Sequence, residues 1–88
     1  MRSAGRLAMK ANPSVLLQLG MRIAYLRKEK KMSQLALALE ADVSKSFLCD
    51  LEKGRRNPSI LILNQISKAL GLTLEELFRG VVSLDQLF

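Results

Sequence analysis

The run from Ser33 to Pro58, SQLALALEADVSKSFLCDLEKGRRNP, narrows the possible folds more than any other stretch of the chain. Ser33 is a good N-cap, because its hydroxyl accepts a backbone N–H that the first turn of a helix leaves unpaired. Leu37, Ala38 and Ala41 then recur at helical spacing and mark one buried face. Asp42-Val43-Ser44 breaks the pattern. Asp tolerates the left-handed backbone of a tight helix exit, although Gly does so more easily. Ser44 is placed to cap a second helix, in which Leu48 and Leu51 point inward with Phe47 beside them. Gly54 ends that helix, and Asn57-Pro58 closes the loop behind it. The expectation is two short helices joined by a tight turn.

Helices this short cannot bury their apolar faces on each other alone, so the flanking segments must complete the core. Upstream, Asn12-Pro13-Ser14 reads as a helix start, since Pro is accepted in a first turn. Leu16, Leu19, Ile23 and Leu26 then form one stripe on a first helix ending near Lys30. The cations Arg27, Lys28, Lys30 and Lys31 suit the negative end of its dipole. Gly20 inside this helix costs about 1 kcal/mol relative to Ala, which a close contact with another helix would explain. Downstream, Ser59 caps a fourth helix carrying Ile62, Leu63, Ile66 and Leu70, and Gly71 ends it. Thr73 to Glu76 has the form of a capping box, opening a fifth helix with Leu74, Leu77 and Phe78. The expected fold class is all-α, a compact five-helix bundle spanning residues 13–80.

Two segments stand outside this pattern. Residues 1–12 are small, basic and weakly patterned. They read as a tail, or as an arm laying Arg2, Arg6 and Lys10 along phosphates. Residues 81–88 carry Val81, Val82, Leu84, Leu87 and Phe88 against one charge, too apolar a composition to stand unattached in water. They either fold back on their own core or meet a second copy.

The second helix of the central pair leaves Lys45, Ser46, Cys49 and Asp50 on its outer side, at positions i, i+1, i+4 and i+5. A polar patch of this shape is how a recognition helix offers side chains to base edges in the major groove. Together with Gly20, Ile23, Arg27, Ser33-Gln34, Leu37-Ala38, Val43-Ser44, Leu48, Leu51-Glu52, Gly54, Asn57-Pro58, Leu70-Gly71 and Leu77, it resembles the Cro/phage-repressor-type (Xre-like) helix-turn-helix DNA-binding domain family. The resemblance runs from Leu19 to about Gly80 at unbroken spacing. It implies a lambda-repressor-like bundle and a structural ion pair between Arg27 and Glu52. It also implies backbone contacts to DNA from Gln34 and the loop, and a homodimer formed through the C-terminal end. The chain departs from the family pattern at Asp42, usually Gly, and at Phe47, often Tyr or Thr. Leu35 and Leu39 fall where the resemblance implies polar, exposed residues, which suggests a second protein-partner surface or cover by the N-terminal extension.

A formal charge of +6 and a pI near 10.0 favour a polyanionic partner. Lys45 suits guanine O6 or N7 and Asp50 suits cytosine N4, while Ser46 serves base or phosphate. Cys49 reads as a half-buried spacer, then as a thymine-methyl contact, and last as a redox sensor. Gln34, Lys53, Arg55, Arg56 and Asn57 are the candidate phosphate ligands. The chain has no histidine, no metal-ligand set, no phosphate-cradling glycine loop and no catalytic carboxylate pair, so neither an enzyme nor a cofactor is expected. One cysteine excludes an internal disulfide and suits a reducing cytoplasm. No apolar run approaches a membrane span. The leading expectation is a sequence-specific transcriptional regulator, dimeric on a pseudo-palindromic operator. The alternative is an antitoxin of the same fold that binds a toxin and represses its own operon.

Overall fold

The computed structural model describes the backbone of residues 3–81 and the side chains of residues 15–81. Within them lie α1 (Ser3–Glu29), α2 (Gln34–Ala41), α3 (Lys45–Glu52), α4 (Ile60–Ala69) and α5 (Leu74–Leu77), with no strand among the described residues. Hydroxyl caps set where the last four begin. Ser33 Oγ accepts from the Ala36 N–H at 3.0 Å, Ser44 Oγ from Phe47 at 3.0 Å and Ser59 Oγ from Ile62 at 3.1 Å. Thr73 completes a reciprocal capping box with Glu76, donating its N–H to Glu76 Oε1 at 2.9 Å and accepting from the Glu76 N–H at 3.1 Å.

The α2–α3 turn is closed as the sequence predicts. Asp42 takes φ 60° and ψ 46°, the left-handed conformation, and the Val43 N–H donates to the Ala38 carbonyl at 3.0 Å. Gly54 ends α3 at φ +76°, with its N–H on the Leu51 carbonyl at 3.0 Å. Ile23, Leu37, Leu48, Leu51, Ile66 and Leu77 are fully buried, and Leu19, Ala38, Ala41, Leu63 and Leu70 complete the core. α4 packs against α2 and α1 against α3, so the flanking helices supply the apolar surface that the central pair lacks.

Gly20 sits where the sequence predicted a close helix contact. A Cβ there would collide with the carbonyl oxygens of Leu51 and Glu52 at the end of α3, the latter at 2.6 Å. The absent side chain is what lets α1 and α3 cross at backbone distance. Arg22, two residues past Gly20 on α1, donates Nε to the Leu77 carbonyl at 3.2 Å and Nη2 to the Glu76 carbonyl at 2.9 Å. It adds side-chain donors to carbonyls at the end of α5, where the Glu76 carbonyl also accepts the Arg79 N–H at 3.3 Å.

The N-terminal boundary differs from expectation. α1 begins at Ser3 rather than at Asn12-Pro13-Ser14, so Pro13 lies inside the helix and residues 3–12 continue it instead of forming an extended tail. The segment between Ser3 and Asn12 is rich in Ala, Leu, Met and Lys, all strong helix formers, and this local preference outweighs the start signal at Pro13. Met1 and Arg2 lie outside the described residues. At the other end Val81 packs, half-buried, against its own core, whereas Val82, Leu84, Leu87 and Phe88 lie outside the described residues. Among the described residues no helix is long and apolar enough to cross a membrane.

Candidate nucleic-acid interface

The cap at Ser44 decides which way α3 faces. With Leu48 and Leu51 fully buried, the opposite side carries Lys45 and Ser46, both exposed in the first turn, and Cys49 and Asp50, both half-buried one turn later. Lys53 caps the C-terminus, and Arg55, Arg56 and Asn57 follow, all exposed. The Arg55 N–H donates to the Asp50 carbonyl at 2.9 Å, which folds the basic loop back beside the polar side of α3. The side chains with base-reading chemistry and the cationic loop are thereby gathered at one end of the molecule.

Their mutual contacts go beyond what the sequence suggested. Arg56 Nε stands 3.7 Å from Asp50 Oδ2, and its guanidinium carbon lies 5.5 Å from the centroid of the Phe47 ring. A candidate base reader and a candidate phosphate ligand are therefore in contact with each other. Phe47, lacking a hydroxyl, serves as a platform for Arg56.

Behind this surface Glu52 joins three elements. Its Oε2 accepts from Arg27 Nε at 2.7 Å, and its Oε1 accepts from Arg27 Nη2 at 3.0 Å and from Gln34 Nε2 at 2.9 Å. Arg27 Nη1 donates onward to the Met32 carbonyl at 2.9 Å. The pair is shielded, with 11% and 6% of the Arg27 and Glu52 side chains exposed. The hydrogen bond to Glu52, reinforced by its charge and opposed by burial, holds the Arg27 proton more tightly than an ordinary guanidinium does. Arg27 and Glu52 thus form the structural pair that the resemblance implied, tying α1 and the α1–α2 turn to the end of α3. Gln34 has one amide hydrogen on Glu52. Its other N–H and its carbonyl are not used in that bond. Sequence reasoning missed the Gln34–Glu52 bond, the Asp50–Arg56 pairing and Arg22. Only the second had a local signal, six residues of separation across a helix end.

Comparison with known proteins agrees with this geometry. A helix-turn-helix family model, HTH_3, matches residues 23–77, from the core of α1 to the last residue of α5. The chain belongs to the Xre-like helix-turn-helix family. The immunity repressor protein of Bacillus phage phi105 is 45% identical over 53 residues, covering 60% of this chain and 37% of the repressor. The control protein C.MunI of a Mycoplasma species is 37% identical over 68 residues, covering 76% of this chain and 92% of that protein. Among solved structures, the restriction-modification controller protein C.AhdI from Aeromonas hydrophila superimposes with a TM-score of 0.70 at 33% identity, covering 72% of this chain and 96% of that one. This helix-turn-helix domain thus spans nearly all of one relative's length and little more than a third of another's. In both alignments the match covers more than half of the present chain.

Proposed function

We propose that the chain is a sequence-specific DNA-binding transcriptional regulator, which binds a pseudo-palindromic operator as a homodimer and reads it through the segment Ser44–Lys53. The observation that carries this reading is the outward side of α3. There Lys45, Ser46, Cys49 and Asp50 stand opposite a fully buried Leu48 and Leu51, next to a loop of three exposed side chains, Arg55, Arg56 and Asn57. Lys45 donates to guanine and Asp50 accepts from cytosine, with Ser46 and Cys49 filling the space between. Lys53, Arg55, Arg56, Asn57 and the remaining N–H of Gln34 hold the phosphates. Affinity then comes chiefly from released counterions and selectivity from α3. The chemistry is binding alone, with no catalytic step and no cofactor, and the setting is the cytoplasm, where the DNA is.

One copy touches too few bases to regulate. Two copies about a two-fold axis set their α3 helices about 34 Å apart, one turn of B-DNA. The C-terminal end, Val81 with the apolar residues Val82, Leu84, Leu87 and Phe88, is the region where the copies meet. Residues 1–12 add cations that lie along the flanking backbone. A second reading, an antitoxin of the same fold, has one observation in its favour. Leu35 and Leu39 of α2 are 51% and 72% exposed, an apolar pair suited to a protein partner. Co-purification of a small toxin would favour it.

The test is selection of bound duplexes from a random pool at a stated salt concentration. The expected result is an inverted repeat with half-sites about one turn apart. Lys45→Ala is expected to change the preferred bases, and Arg55→Ala to weaken every site alike. The same uniform loss from both substitutions would overturn the division between reading and anchoring.

A further inference from the structure

On the side of α1 away from the core, Leu17, Met21 and Tyr25 recur every four residues and are 47%, 61% and 56% exposed. The three form an apolar stripe along the exposed side of α1. Beside it lies a shallow groove of about 380 Å³, walled by Gln18, Met21, Arg22 and Tyr25 of α1 and by Arg79 and Gly80 just after α5. We propose that this groove is the seat of the chain's own residues 82–88.

Position, length and composition favour that occupant. Gly80 forms the groove's rim, and its φ of +83° turns the backbone there. Val81 is pinned next to it, half-buried, with its N–H on the Phe78 carbonyl at 2.9 Å. The described backbone therefore ends one residue past the groove's rim. Seven extended residues reach about 23 Å at roughly 3.3 Å each, whereas the stripe from Leu17 to Tyr25 is about 12 Å long at 1.5 Å per helical residue. The segment, VSLDQLF, offers Val82, Leu84, Leu87 and Phe88 to the apolar stripe. Its single charge, Asp85, meets a wall holding two arginines. Arg22 spends Nε and Nη2 on the α5 carbonyls, and those two bonds do not use Nη1.

A second copy is the rival occupant. Stable interfaces engage on the order of 20–30 residues a side, and three apolar side chains with two arginines offer a small part of that. Attachment at the rim also gives the chain's own segment an effective concentration on the order of millimolar. Seated in this way, residues 82–88 form one composite surface with α1, and a partner copy meets that surface rather than a free strand. The inference goes beyond the DNA-binding reading and does not depend on it.

Tyr25 is the only tyrosine and the chain has no tryptophan, so its fluorescence reports on this groove alone. The experiment measures acrylamide quenching of Tyr25 in the full chain, in the chain ending at Val81, and in the full-length double variant Leu84→Asp/Leu87→Asp. Each is followed over a range of protein concentrations, with sedimentation in parallel. Docking in the same chain predicts a quenching constant roughly twofold lower in the full chain than in either altered form, because a half-exposed ring becomes covered. That protection should not vary with concentration. Asp85→Lys should erode it. Equal quenching in all forms would overturn the proposal. So would protection that grows only as dimer accumulates, since the occupant is then the second copy. The double variant keeps the test decisive if the shortened chain folds poorly. Operator selection plays no part in the readout, so failure of one reading leaves the other standing.

Discussion

Single side chains decide the stability of this domain where they are buried with a partner. Glu52 receives Arg27 and Gln34 at three hydrogen bonds while almost wholly shielded. Glu52→Ala leaves the Arg27 guanidinium charged and stranded, and is expected to lower stability by about 3–5 kcal/mol, read from urea denaturation. Replacing both members, Arg27→Met with Glu52→Leu, should recover most of that loss, because no charge is then left buried. Asp42 is strained in the opposite sense. Its φ of 60° suits glycine, so Asp42→Gly should raise stability by about 1 kcal/mol, visible as a higher urea midpoint at unchanged slope. Residues acting through their own neighbours were legible in the sequence, among them the serine caps and the left-handed Asp42, whereas Gly20 signalled a close contact without naming its partner. Arg22 was not, because its carbonyl partners lie 54 and 55 residues away. Only the tertiary fold brings them together.

At the scale of elements, α3 and the loop behind it are coupled. Asp50 holds Arg56 at 3.7 Å over Phe47, so on the proposed reading the two would separate before each met its own target on DNA. Asp50→Ala is expected to raise affinity for non-cognate duplex and to steepen its salt dependence by about one phosphate equivalent per protomer, while selectivity falls. Titrations at two salt concentrations check this. α5 carries the acid sensitivity. The Thr73 backbone N–H, helped by its hydroxyl and by Arg79 and opposed by burial, lowers the Glu76 carboxyl below its ordinary range. A lowered carboxylate stabilises the fold above its unfolded value, and that stabilisation fades as pH falls through the folded one. The protection factors of the α5 amides, taken relative to the intrinsic exchange rate at each pH, should therefore fall on acidification below the ordinary carboxylate range, and Glu76→Gln should flatten the response. The helices between Ser33 and Leu77 were readable because each carries its own cap and period. The start of α1 was not, since Pro13 costs a helix interior about 3 kcal/mol and so reads as a first turn, while the residues before it favour helix.

For the molecule as a whole, the distribution of charge matters more than its sum. The formal charge is +6, with Lys45, Lys53, Arg55 and Arg56 exposed on α3 and the loop behind it and Lys28, Lys30, Lys31, Lys68 and Arg79 exposed elsewhere. The logarithm of the binding constant should fall linearly with the logarithm of salt, by about 0.9 for each phosphate neutralised. An Arg55→Ala/Arg56→Ala chain should show the shallower line, measured by fluorescence anisotropy. The candidate site was legible in outline because outward positions follow from buried ones. Its internal pairings were not, because they depend on side-chain reach across a helix end. The meeting of Gly20 with the carbonyls of Leu51 and Glu52 has a wider effect. With bare backbone against bare backbone and an ion pair bolting the same corner, α3 has no room to roll or slide on its support. On the DNA-binding reading proposed above, retargeting this scaffold to a new operator would be a matter of exchanging the projecting side chains of one short helix, while its angle of approach to the duplex would stay inherited.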